Sequence, residues 1–173
     1  MQPRTWMILS GVTLGTAIAF GVAAMAVPSA LAQENFTGHW VCQDVGVPTP
    51  EPLGDREGHS ISINQYSCRV ETGPMKGAVV TGSAIWEWEK TNATLISGGG
   101  VARKAGSTSV YKTTDGQITL TITDGKVTGI TAAGHYKVMV GTGDAAPAVG
   151  KTLTWVVKPG VGPGQFTIDG KSE

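Results

Sequence analysis

An all-β fold is what this sequence predicts: a single antiparallel β-barrel of about eight strands, with a β-sandwich as the alternative. Three observations carry the prediction. Polar and apolar residues alternate with a period of two along most of the chain beyond residue 33, most clearly in 79–90, V-V-T-G-S-A-I-W-E-W-E-K. Short turn pairs punctuate these stretches, above all Asp115-Gly116 and Asp124-Gly125. Asp-Gly suits a type I′ turn, where both central residues need positive φ. Nowhere in this region does the period of three to four residues appear with the caps that a helix requires.

Residues 1–32 read differently. Arg4 stands near the start, an apolar run extends from Trp6 to Leu31, and Ala30-Leu31-Ala32 closes the segment. That order is the order of a secretory signal peptide, with cleavage expected before Gln33. The run is long enough for an uncleaved anchor, but its glycines, Pro28 and the A-L-A site favour cleavage. The remainder, 33–173, is expected to be one domain, periplasmic or secreted and off the membrane after cleavage. Of the 13 basic residues only Arg4 lies in the leader, and all 13 acidic residues follow it, so the domain is nearly neutral. It has no basic run or stripe, which speaks against nucleic acid or anionic membranes as partners.

Within the domain, 38–43 is a first strand with Trp40 and Cys42 on one face. Residues 44–58 contain Pro48, Pro50 and Pro52 and read as a long loop. Alternation returns in 59–70, which is expected to place His59, Ile61 and Ile63 inward and Ser60, Ser62 and Asn64 outward. A turn over 72–77 precedes the tryptophan strand, in which Val80, Ala84, Trp86 and Trp88 share the inner face and Glu87 and Glu89 the outer. Thr91-Asn92 is the expected hairpin tip, and 93–104 pairs back. Gly98-Gly99-Gly100 marks a bulge or a bend that closes a barrel. Strands 109–113 and 117–123 flank Asp115-Gly116 as a hairpin, with Ile118, Leu120 and Ile122 inward. Asp124-Gly125 leads into 126–140, where Ile130, Ala132, Gly134, Tyr136, Val138 and Val140 share a face. Residues 141–150 form a loop, and 151–158, with Leu153, Trp155 and Val157 together, and 165–169 complete the set.

The two cysteines, Cys42 and Cys68, both lie in the exported part. An even count in an oxidising compartment predicts one disulfide, two buried free thiols being the alternative. A loop of about 26 residues would add about 3 kcal/mol by chain entropy.

Thr37-Gly38-His39-Trp40 is similar to the G-x-W start of lipocalins and the T-G-x-W start of avidins, the calycin barrels. Gly141-Thr142-Gly143, followed by Ala148 and Gly150, resembles the G-T-G-x-F-x-x-A-x-G turn of allene oxide cyclase-like and dirigent-like barrels, with Ala145 in place of the phenylalanine. Both resemblances imply a small antiparallel barrel whose interior holds an apolar ligand. Neither brings a catalytic motif that these residues match.

Trp86, Trp88, Trp155 and Tyr136 are the candidate walls of a ligand cavity, and they serve equally as the packed core of a filled barrel. His59, beside Asp55 and Glu57, is the one candidate acid or base, and the alternative for it is a structural histidine. His39, His59 and His135 have no metal-ligand spacing, and the parity of 126–140 puts His135 on the polar face, so neither metal nor cofactor is expected. No nucleophile elbow occurs, and the glycine runs precede no helix that would cradle a phosphate. Three functions remain: an exported barrel that binds a small apolar ligand without catalysis, an isomerase or cyclase working in the cavity with His59, and a structural partner of another exported protein. An apolar cavity above about 300 Å³ separates the first two from the third.

Overall fold

The computed structural model describes residues 36–173; the leader and its cleavage site fall outside the described residues. Nine strands alternate along the chain: β1 (Thr37–Asp44), β2 (Glu51–Pro52), β3 (His59–Val70), β4 (Val79–Glu89), β5 (Asn92–Lys104), β6 (Ser107–Thr123), β7 (Lys126–Thr142), β8 (Thr152–Pro159) and β9 (Gln165–Ser172). Every neighbour is antiparallel, and β1 pairs with both β9 and β3. That last pairing turns an up-and-down sheet into a closed barrel of eight strands, which leaves no edge around the circuit. The two-residue β2 pairs with Ser60 and Ile61 of β3, inside what the prolines mark as loop. Among the described residues no helix is long and apolar enough to cross a membrane.

Cys42 and Cys68 stand opposite each other in the β1–β3 ladder and form the disulfide. The bond therefore seals the seam where β1 meets β3. The tryptophan strand holds the register its alternation requires: Val80, Ala84 and Trp86 are buried, Trp88 is half-buried, and Glu87 and Glu89 are exposed. A one-residue slip would have put both carboxylates inside.

Several expectations are corrected by the structure. On β3 the faces are reversed: Ser62 is buried and Ile63 is 62% exposed. The reason lies on β4, because two indoles inside the barrel need acceptors. Asn64 Oδ1 accepts from Trp86 Nε1 (3.0 Å), and Ser62 Oγ accepts from Trp88 Nε1 (2.8 Å). Polar residues on β3 therefore face in, and the isoleucines face out. Asp115-Gly116 is not a hairpin; β6 runs through it with a bulge between Thr113 and Asp115. Gly116 is there for space. A Cβ at this position would lie 2.7 Å from Trp155 Cζ2 and 3.2 Å from Trp86 Cη2.

The tip of the β4–β5 hairpin is Lys90-Thr91, with Lys90 at φ 57°. Gly98, Gly99 and Gly100 stay in ladder register, and the irregularity falls opposite Ile85 and Trp86, where Ile96 is the extra residue. Val140 leaves the inner face of β7 and is 54% exposed, because Met139 is an extra residue between the Val138–Tyr111 and Val140–Val110 pairs and reverses the alternation. Finally, Ile122 does not face the core. Beyond Thr119 and before Ala132 the strands β6 and β7 pair only with each other, so their hairpin runs past the barrel rim and leaves Ile122 50% exposed. Its tip is the Asp124-Gly125 turn, with both residues at positive φ (52° and 74°).

Candidate functional site

Three rings divide the barrel interior. Trp40 from β1, Tyr111 from β6 and Tyr136 from β7 meet near the middle, with ring centroids 5.5–6.3 Å apart. On one side of them the barrel is closed by Met75, by Leu153 and by Ala145 and Ala148 of the 3₁₀ turn Gly143–Ala148, and only about 80 Å³ is open. On the other side lies a cavity of about 250 Å³. It reaches the rim at Asp44, Pro159, Gly164 and Gln165, the end of the barrel that carries the proline-rich loop and the protruding β6–β7 hairpin.

The walls of this cavity are aromatic and aliphatic. Tyr66, Trp86, Trp155 and Phe166 join the three central rings, and Ala84, Leu95, Ile118, Ile130, Ala132, Val157 and Ile168 fill the spaces between them. Trp86 and Trp155 meet edge to face at 6.5 Å. Tyr66 and Tyr111 share a hydrogen bond between their hydroxyls (3.0 Å). Burial raises the pKa of Tyr66, Tyr111 and Tyr136 above the ordinary phenol range, so all three rings stay neutral. Trp155 Nε1–H is the buried side-chain donor that has no acceptor among the described residues.

Asp44 is the one charged side chain in the wall. Its carboxyl is half-buried, and burial pushes its pKa up against the opposing effect of a hydrogen bond from Asn64. Asn64 thus works at both ends: its oxygen accepts from Trp86 inside, and its amide donates to Asp44 at the rim. The arrangement offers an apolar enclosure with one carboxylate at the mouth. It holds no nucleophile and base in contact.

Of the residues expected to line a cavity, Trp86, Trp155 and Tyr136 do so. Trp88 lies one step nearer the strand end, outside the wall, with its indole nitrogen on Ser62. His59 is corrected: the reversed face of β3 turns it away from the interior. It is nonetheless only 7% exposed, because Asp55 reaches Nδ1 (2.5 Å) and Glu87 reaches Nε2 (2.8 Å). Arg56 bonds to Glu89 and to Asp55 alongside it. The two carboxylates, Asp55 first, raise the pKa of His59, while the His59 hydrogen bond lowers that of Asp55. A histidine with both nitrogens engaged by carboxylates is a clamp that fastens the long loop to β4, and it has no free nitrogen for chemistry. His39 and His135 are likewise paired on the outer wall, with Asp169 (2.7 Å) and Asp115 (2.8 Å).

The residues that the sequence reading missed are Asp44, Asn64, Trp40, Tyr66, Tyr111 and Phe166. A signal for the first was present. Trp40, Cys42 and Asp44 share a parity, so extending β1 by one residue carries Asp44 inward.

No protein-family model matches the chain, and no curated protein does. Two solved structures are similar to it in fold. A protein of unknown function from Clostridium acetobutylicum ATCC 824 has a TM-score of 0.55 at 9% identity, over 80% of this chain and 97% of that one. A conserved protein of unknown function from Rhodopseudomonas palustris has a TM-score of 0.52 at 11% identity, over 80% of this chain and 96% of that one. At such identities the likeness concerns the closed antiparallel barrel alone; it confirms neither the calycin nor the allene oxide cyclase resemblance.

Proposed function

We propose that this is an exported barrel that holds a small, largely apolar ligand in the aromatic half of its interior, without catalysis. The carrying observation is the cavity of about 250 Å³ walled by Trp86, Trp155 and Tyr136 and open at the rim. This volume is below the roughly 300 Å³ at which drug-sized pockets begin. A 150 Å³ apolar cavity holds benzene, so this one suits a ligand of roughly ten non-hydrogen atoms. Export rests on the leader-like segment and on the Cys42–Cys68 bond, which an oxidising compartment favours. The N-terminus of the exported product should lie at or near Gln33.

Calorimetric titration with naphthalene and indole tests the ligand reading. Binding is expected, and Ala132→Phe, which places a ring in the open space, should weaken it at least tenfold without lowering the melting temperature. If neither these nor other neutral or charged ligands of that size bind at saturation, the interior is a loosely filled core and the proposal is wrong.

A further inference from the structure

The cavity has a charge asymmetry that bears on what it holds. Its wall contains one carboxylate, Asp44, and no lysine, arginine or histidine. No ion pair of the described residues involves Asp44, so this half-buried carboxylate has no protein cation opposite it. Of the other polar groups in the wall, Asn64 is held between Trp86 and Asp44 and the Tyr66 and Tyr111 hydroxyls hold each other, while the unpartnered Trp155 Nε1–H, the Tyr136 hydroxyl and Thr113 carry no charge. The rings of Trp86, Trp155 and Tyr136 line the same cavity as the carboxylate. Aromatic faces carry negative potential, and a cation within about 6 Å of a ring centroid is attracted by it, most strongly when desolvated. An anionic ligand meets the opposite situation, with a carboxylate at the entrance and nothing to neutralise it inside.

Building on the cavity reading above, we propose that the ligand is an organic cation: an ammonium group on a small aromatic or branched apolar body, with Asp44 as its counter-ion and the tryptophan and tyrosine rings as its cage. The charge need not be deep. Asp44 lies at the rim and the rings extend inward from it, so a molecule with its ammonium near the mouth and its apolar body inside satisfies both. Asn64 fixes Asp44 in place and ties it to the Trp86 ring, which makes Asn64 a positioning residue.

Three probes of ten non-hydrogen atoms each separate the possibilities: phenyltrimethylammonium, its neutral isostere tert-butylbenzene, and benzenesulfonate. Calorimetry on the full mature protein is expected to show the cation binding at least tenfold more tightly than the neutral isostere, with the anion weakest. Asp44→Asn should remove that preference while tert-butylbenzene still binds. In the wild-type protein, the Asp44 carboxyl carbon, followed by NMR, should titrate at lower pH with the cation bound than without it. Equal or tighter binding of tert-butylbenzene, a preference that survives Asp44→Asn, or an unmoved Asp44 titration each overturn the cation assignment and leave the apolar cavity standing. Failure of all three probes to bind overturns both.

Discussion

Gly116→Ala gives the sharpest test of how the cavity wall is built, because two accounts of this glycine predict opposite signs. If Gly116 were an ordinary strand residue, alanine should stabilise the protein by about 0.5–1 kcal/mol, since glycine loses more backbone entropy on folding. Its φ is not in the left-handed region, so no backbone strain offsets that gain. The structure argues otherwise. The added Cβ would sit 2.7 Å from Trp155 Cζ2, 3.1 Å from its Cη2 and 3.2 Å from Trp86 Cη2. Carbon atoms pack at about 3.5–4.0 Å. Both indoles would therefore have to shift by several tenths of an ångström in a wall that also includes Gly134. Overpacking of this kind costs about 1–3 kcal/mol, or a melting point lower by about 3–10 °C for a domain of this size.

Thermal unfolding by circular dichroism reads the loss, and the near-ultraviolet band of the coupled tryptophans should change with it. Trp155→Phe removes the outer ring that collides, so the double variant should recover about 1 kcal/mol relative to the sum of the singles. Stabilisation by Gly116→Ala, or strict additivity in the cycle, would refute the packing account.

Other outcomes follow from the same geometry. Cys42→Ala with Cys68→Ala should cost about 3 kcal/mol in chemical denaturation, and denatured, unreduced wild-type protein should take up no alkylating agent. Asn64→Leu leaves the Trp86 indole without its acceptor and should cost about 1–3 kcal/mol, while the Asp44 carboxyl moves to still higher pKa. The His59 clamp has a pH window. The raised imidazole stabilises the loop below its ordinary value of 6.5 and loses this as pH climbs through the folded value; the lowered Asp55 stabilises above 3.8 and loses this as pH falls through its own folded value. Amide exchange over residues 55–59, corrected for intrinsic rate, should thus be slowest between those limits, and His59→Asn should flatten the profile. Ile122→Thr with Val127→Thr, on the protruding hairpin, should change stability by less than about 0.5 kcal/mol.

The strands were legible because period-two alternation is local, and the tryptophan register was legible because only one phase keeps Glu87 and Glu89 in water. The disulfide needed only compartment and count. What escaped were features set by partners distant in sequence. Ile61 and Ile63 look like a core stripe, yet the inner face of β3 is chosen by the indole donors of β4, which only the ladder brings alongside. His59 went to the wrong side for the same reason. Asp115-Gly116 carries the letters of a turn, but a glycine needed for clearance and one needed for positive φ are written alike. Asp124-Gly125, where φ is positive at both residues, shows the other use nine residues later.

Clearance glycines also explain why this barrel has open space at all. An eight-stranded barrel is narrow enough for its side chains to fill. Here two cross-strand rows place glycine beside large rings. Tyr66, Gly82, Gly100 and Tyr111 run across β3 to β6, and Gly116, Gly134, Trp155 and Gly170 run across β6 to β9. In the first row a Cβ on Gly82 or on Gly100 would lie 2.5 Å from the hydroxyl of Tyr66 or Tyr111; in the second, one on Gly134 would lie 2.7 Å from Trp155. The rings therefore lie down over bare backbone instead of pointing at the axis. Rings laid over the wall in this way leave the centre empty. Filling a barrel needs bulky residues alternating with other bulky residues. Lining one needs bulky residues alternating with none, and these two rows follow the second pattern.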